Sequence, residues 1–323
     1  MELLPNFSLL RPHSITEAVA ARAGAGETRF MAGGTDLLPA MRRGLTQADT
    51  VIDLSDVAEL RGIAADDHGV RIGAGTSIEQ LAAHPLLARN YPAVAQAALA
   101  IAGPTHRAVG TLGGNLCLDT RCRYYNQSEP WRTANNFCMK LSGDVCRVAP
   151  KSDRCYAAYS GDMAPTLMVH GAVAEIAGPG GRRQAPLAEI FADDGIAYLT
   201  LAPGELLVAV NLPAAGGWRS GYEKIRTRGA IDFPLVGVAV ALRCTDGRLH
   251  DLRIATTGTD SQPLMITGLD EFLGLPLDDA LPRIDKLLRK QVGPMETTIT
   301  PATYRRRVVP VLVRRLIHRL MAD

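Results

Sequence analysis

Two short stretches decide how this chain folds: Met31-Ala32-Gly33-Gly34-Thr35-Asp36-Leu37 and Gly110-Thr111-Leu112-Gly113-Gly114-Asn115-Leu116. Each sets a glycine pair beside hydroxyl or amide side chains. Glycine has no Cβ, so the backbone can approach a ligand closely and turn successive N–H groups toward an anion. Thr35 and Thr111 can add hydroxyl donors, and a helix after Gly34 would point its positive end at the same place. Two such loops suit a pyrophosphate better than a lone phosphate. Neither carries the Gly-x-Gly-x-x-Gly fingerprint that opens the helix of a doubly wound dinucleotide-binding unit, so that fold is excluded.

Outward from the loops, short strands alternate with helices. Ser14-Ile15-Thr16-Glu17 reads as a capping box at the start of a helix reaching residue 23. A strand at 29–32 feeds the first loop and a helix at 37–43 leaves it, with strands at 51–53 and 70–72. Pro92 suits the first position of an Ala-rich helix to 101, which Gly103-Pro104 ends. Past the second loop come hairpin strands at 173–176 and 182–186, a strand at 206–212, and Ala214-Ala215-Gly216-Gly217, the best linker. Strands at 221–225, 236–243 and 252–257 and helices at 281–290 and 303–320 complete the chain. The pattern predicts an α+β protein with two domains around separate apolar cores, 1–216 and a smaller 217–323.

Nearly half of the 323 residues are hydrophobic and the formal charge is +2, which argues against a nucleic-acid partner. The start has neither a basic region nor an apolar run, and no stretch approaches the ~20 apolar residues of a membrane span, so a cytoplasmic protein without a membrane partner is expected. In that reducing compartment cysteines favour metal ligation or redox chemistry over disulfides. Five of the six cysteines, Cys117, Cys122, Cys138, Cys146 and Cys155, crowd one polar segment. Fifteen, seven and eight residues separate the last four. Such a segment buries little apolar surface, so a metal centre is a sensible organiser. An iron-sulfur cluster, a structural zinc and unligated thiols all remain open; zinc usually takes closer cysteine pairs than these.

The two loops, together with Gly161-Asp162-Met163-Ala164-Pro165 and Lys224, resemble the medium, FAD-binding subunit of the molybdenum hydroxylases, the group of xanthine dehydrogenase and carbon monoxide dehydrogenase. The resemblance spans nearly the whole chain. It implies a two-part FAD-binding domain of the PCMH and vanillyl-alcohol-oxidase type, followed by a smaller α+β C-terminal flavoprotein domain. It also implies that Ala32, Gly33, Gly34, Thr35, Asp36 and Leu37, with Thr111, Gly114 and Asn115, clasp the FAD pyrophosphate. Asp162 would take hydrogen bonds from a sugar hydroxyl or the adenine end. Ile101 and Leu207 would pack on the isoalloxazine, and Lys224 would lie near its polar edge.

In that family the second loop runs within about ten residues into the segment here beginning at Ser160, whereas some forty residues, roughly 118–159, intervene in this chain. With this insertion the chain looks like the 4-hydroxybenzoyl-CoA reductase branch. The likeness implies a [4Fe-4S] cluster on Cys122, Cys138, Cys146 and Cys155, with Cys117 left to pack near the flavin. It further implies partner subunits, one with the molybdenum cofactor and one with [2Fe-2S] clusters, in a dimer of heterotrimers. Reduced ferredoxin would be the donor; Arg121, Arg123, Lys140, Arg147, Lys151 and Arg154, which surround the cysteines, serve either solubility or the steering of such an acidic donor. The substrate site would lie on another subunit, so no catalytic residue is expected here. An oxidative hydroxylase of the xanthine or carbon monoxide dehydrogenase type, and a zinc-stabilised scaffold without enzymatic activity, are the alternatives.

Overall fold

The structure is a computed structural model that describes residues 3–23, 26–245, 248–293 and 295–322. Its strands form three sheets. β1 (Ser8–Leu10), β2 (Thr28–Met31) and β3 (Thr50–Asp53) make a parallel sheet in the order β1-β3-β2. β4 (Ile63–Asp66), β5 (Gly69–Gly73), β6 (Val173–Gly178), β7 (Gly181–Pro186) and β8 (Leu206–Pro213) pair antiparallel in the order β4-β5-β8-β6-β7. β9 (Arg219–Ile225), β10 (Val236–Thr245), β11 (Arg248–Thr257) and β12 (Leu264–Met265) form the third, also antiparallel.

The helices are α1 (Ile15–Arg22), α2 (Leu37–Arg42), α3 (Ile78–Ala83), α4 (Pro85–Asn90), α5 (Pro92–Ala100), α6 (Pro104–Val109), α7 (Leu112–Leu116), α8 (Glu129–Ala134), α9 (Met163–Met168), α10 (Leu277–Gln291) and α11 (Tyr304–Ala322). At α1 the Ser14 hydroxyl accepts the Glu17 N–H at 3.2 Å. The Glu17 carboxylate, however, takes the His13 N–H at 2.8 Å, so the expected box closes one residue early. A reciprocal capping box does form at α3, between Ser77 and Gln80. Pro104 ends nothing: it opens α6, because its fixed φ and missing N–H suit a first turn.

The β10 strand shows how the core of the first half reaches into the second, which also has a core of its own. Side chains alternate across a strand, so Val236, Val238, Val240 and Leu242 face α10 and α11, while Ala239 and Ala241 join the core of the first half. Alanine on that second face lets α5 and α9 pack close to the strand. The core that runs from Val70 and Ile72 through α5 and α9 therefore continues into Tyr222, Ala239 and Ala255. α11 runs through Pro310, which costs ~3 kcal/mol in a helix interior. Val309, Leu312, Val313, Leu316, Ile317 and Leu320 are all buried on its inner face, each contributing ~1.5–3 kcal/mol, and that burial outweighs the proline. Among the described residues no helix is long and apolar enough to cross a membrane.

β5 and β8 are neighbours in one sheet although far apart in sequence. The chain between them makes a long excursion that carries α3 to α9, the second glycine loop and the cysteine segment back over the first loop.

Candidate functional site

The first glycine loop leaves β2 and enters α2. Gly34 turns there with φ +68, a conformation that disfavours a side chain. A Cβ on Gly33 would lie 2.0 Å from the carbonyl oxygen of Val109, so glycine is what lets this loop abut the α6–α7 junction. Among the described residues, no protein acceptor takes the backbone N–H groups of Gly33, Gly34, Thr35, Asp36 and Leu37. Five successive free amides at a helix start make an anion nest.

The second loop is built otherwise. Leu112 N–H donates to Thr76 O at 3.0 Å, Gly113 N–H to Ala74 O at 2.7 Å, and Gly114 N–H to the Thr111 hydroxyl at 3.1 Å. Asn115 N–H donates to Thr111 O at 3.0 Å, and the Asn115 side-chain oxygen accepts the Met163 N–H at 3.0 Å. Of the amides expected to face a phosphate, those of Leu112 and Gly113 are instead taken by the turn after β5, and those of Gly114 and Asn115 by Thr111. Among the described residues, the loop's remaining donors are the Thr111 backbone N–H and hydroxyl and the Asn115 side-chain amide.

Both loops wall one cleft of about 2000 Å³, ample for a dinucleotide. Ala32, Gly33, Gly34, Thr35, Asp36, Leu37, Ile101, Thr111, Gly114, Asn115, Asp162 and Leu207 all line it. Lys224 does not. Its ammonium sits 3.0 Å from Asp162, with both side chains about 95 % buried, and the Tyr222 hydroxyl donates to the same carboxylate at 2.6 Å. Burial pushes the Asp162 carboxyl above its ordinary range, against the pull of Lys224 and Tyr222. Asp162 is thus engaged within the protein, and Lys224 supports it from behind the cleft wall. The open amides, the glycine-permitted contact and the apolar pair Ile101 and Leu207 fit FAD.

Three further residues shape the cleft, of which Cys117 was expected near the flavin and Arg121 beside a partner, while Tyr198 was not singled out. Arg121 pairs with Asp36 at 2.8 Å, tying the cysteine segment to the first loop. Burial raises the Asp36 carboxyl and Arg121 opposes that shift. Cys117 lines the cleft, its thiol pushed up to about 12 by the surrounding protein. Tyr198 lines it as well, its hydroxyl 3.4 Å from Cys117 O.

The cysteine segment folds around α8 and holds a second, smaller cavity. Cys122, Cys138, Cys146 and Cys155, all buried and none in a disulfide, line it together with Lys140 and Arg147. Cys146 and Cys155 titrate as a pair, their mutual interaction favouring the Cys146 thiolate and the Cys155 thiol. Burial lifts Cys122 to about 11. The space enclosed is about 10 Å³, hardly one water, and among the described residues no His, Cys, Asp or Glu group is arranged to hold a metal ion. In number and chemistry the four thiols fit an iron-sulfur centre; seating one requires the segment's loops to spread.

Most of the basic residues of the segment are tied to protein partners. Arg123 pairs with Glu296 at 2.9 Å, Arg154 with Asp193 at 2.7 Å and Lys140 with Asp119 at 2.8 Å, while Arg147 donates to the Phe137 carbonyl at 3.1 Å. With Arg121 held by Asp36, Lys151 is the exposed charge of the six.

Comparison with known proteins agrees with this geometry. Residues 5–215 match the family described as the FAD binding domain in molybdopterin dehydrogenase, and residues 220–320 match the CO dehydrogenase flavoprotein C-terminal domain. The aldehyde oxidoreductase FAD-binding subunit of Escherichia coli (strain K12) is 33% identical over 273 residues, covering 82% of this chain and 85% of that protein. The carbon monoxide dehydrogenase medium chain of Afipia carboxidovorans is 29% identical over 323 residues, covering 98% and 97%. A crystal structure of the Cu,Mo-CO dehydrogenase superposes with a TM-score of 0.82 at 28% identity, covering 99% of each chain. The expected two-part FAD-binding domain with its C-terminal partner is the fold observed, and the chain belongs to the FAD-binding medium subunits of the molybdenum hydroxylases.

Proposed function

We propose that this subunit carries a [4Fe-4S] cluster besides FAD and passes electrons from reduced ferredoxin toward a molybdenum subunit, in a 4-hydroxybenzoyl-CoA reductase that forms benzoyl-CoA by reductive dehydroxylation. The observation that carries this reading is the set of four buried, unbridged thiols around one cavity next to the flavin cleft. FAD, when bound, supplies a carrier able to exchange one or two electrons. Gly33 to Leu37 hold the pyrophosphate, Thr111 and Asn115 add donors, Ile101 and Leu207 exclude water from the ring, and Asp162 with Lys224 and Tyr222 stiffens the wall. Cys122, Cys138, Cys146 and Cys155 ligate the cluster. Residues 1–216 form the FAD domain and 217–323 the C-terminal domain. The partners are a molybdenum-cofactor large subunit and a [2Fe-2S] small subunit, assembled as a dimer of heterotrimers in the cytoplasm. Ferredoxin docking rests on Lys151 more than on the arginines, which are tied to protein partners.

A second reading, in which electrons leave the complex through this subunit, is favoured by the aldehyde oxidoreductase and carbon monoxide dehydrogenase relatives. Analysis of the purified complex separates the readings. About four irons and labile sulfides beyond those of the small subunit, lost in Cys146→Ser while FAD stays, support the cluster. Benzoyl-CoA formation from 4-hydroxybenzoyl-CoA with a low-potential reductant supports the reductive role. Oxidation of an aldehyde instead, with no turnover of the thioester, establishes the second reading, and zinc in place of iron removes the relay.

A further inference from the structure

Lys140 is the residue that lines both the flavin cleft and the thiol cavity. Its side chain is only 6 % exposed. The ammonium is held in place by Asp119 Oδ1 at 2.8 Å, the Thr120 hydroxyl at 2.9 Å and the Gly195 carbonyl. The rings of Tyr125 and Tyr198 stand 5.1 and 5.5 Å away and keep it dry. Its counter-charge is placed asymmetrically, because Asp119 lines the flavin cleft and does not reach the thiol cavity.

From this placement we propose that the Lys140–Asp119 pair is a fixed dipole in the wall between the two redox sites, negative end toward the flavin, and that it sets the difference between their reduction potentials. The inference rests on the reading that the cavity thiols hold a redox centre, but its flavin half stands without it. Reduction adds negative charge, so a nearby cation raises a potential and a nearby anion lowers it. Neither residue carries the electron; both position charge around the groups that do.

The test is a redox titration of the full-length, FAD-loaded chain, following flavin absorbance and, where iron is present, its paramagnetic signal. Lys140→Met should lower the flavin potential and Asp119→Asn should raise it. Each should change the reduced-to-oxidised ratio at the wild-type midpoint on the order of tenfold. In both variants the iron centre should lose ground relative to the flavin, since one removes its cation and the other removes the flavin's anion. Lys140→Arg should restore the wild-type values. Flavin potentials that move in the same direction in both variants, or in neither, with FAD content and thermal midpoint unchanged, overturn the proposal. A wild-type chain without iron overturns the cluster reading alone, because the opposed flavin shifts still decide this one.

Discussion

The two glycine loops look alike in sequence and are built for different work. Among the described residues, the first leaves the N–H groups of Gly33 to Leu37 without protein acceptors, whereas the second gives those of Leu112 and Gly113 to the turn after β5 and those of Gly114 and Asn115 to Thr111. One is an anion nest and the other is a packed buttress that meets it where Gly33 touches Val109. A glycine pair therefore does not by itself say whether its amides are available; the surrounding acceptors decide. Here Thr76 and Ala74, from the turn after β5, are the acceptors that remove the second loop's amides from use.

The most severe way to break this division is Gly33→Ala. Its Cβ would meet a backbone oxygen at 2.0 Å, which no side-chain rotation relieves, so the loops must part. FAD affinity should fall at least ~100-fold, about 2.7 kcal/mol, and the protein should purify almost colourless. Full flavin content in that variant would show that contact between the loops is dispensable. Gly34→Ala tests the first loop more gently: holding alanine at φ +68 costs ~1–2 kcal/mol, an affinity loss of about tenfold by fluorescence titration. Gly114→Ala is its counterpart in the buttress, where the nearest atom to an added Cβ is the Thr111 hydroxyl at 3.2 Å. A loss under about threefold is expected there, because only a small relaxation is needed. Equal losses at Gly34 and Gly114 would erase the distinction between nest and buttress.

How much of this was legible beforehand depended on the range of the interaction. The glycine loops, the Pro92 helix start and the strand ending at Pro213 are local signals, and each lies where expected. Ser77-Ile78-Glu79-Gln80 spells the capping box that opens α3, and Pro104, expected to end a helix, opens one. The Arg121–Asp36 and Lys224–Asp162 pairs join residues 85 and 62 positions apart, for which periodicity carries no signal. That is why Lys224 looked free to meet a ligand and the arginines of the cysteine segment looked free to steer a partner. The thiols were recognisable by type and number, but their convergence on one cavity depends on how α8 and its flanking loops fold back.

An effect of the opposite sign concerns the charge that borders the nest. Asp36 lies within the row of free amides, burial raises its carboxyl, and Arg121 draws off part of its charge. A pyrophosphate there meets an anion above that raised titration point and a neutral carboxyl below it. FAD should therefore bind more tightly as pH falls through the window above the ordinary carboxylate value, and the second loop, which has no titrating group, contributes no slope. For folding the sign is the same: a carboxyl raised above its unfolded value adds stability below the unfolded value and loses it as pH rises through the folded one. Asp36→Asn should flatten the affinity profile and tighten FAD about threefold at neutral pH, an effect of the size expected for a partly exposed charge and weakened by salt. An unchanged slope in that variant would mean that Arg121 neutralises Asp36 fully and that the nest takes its selectivity from the amides alone.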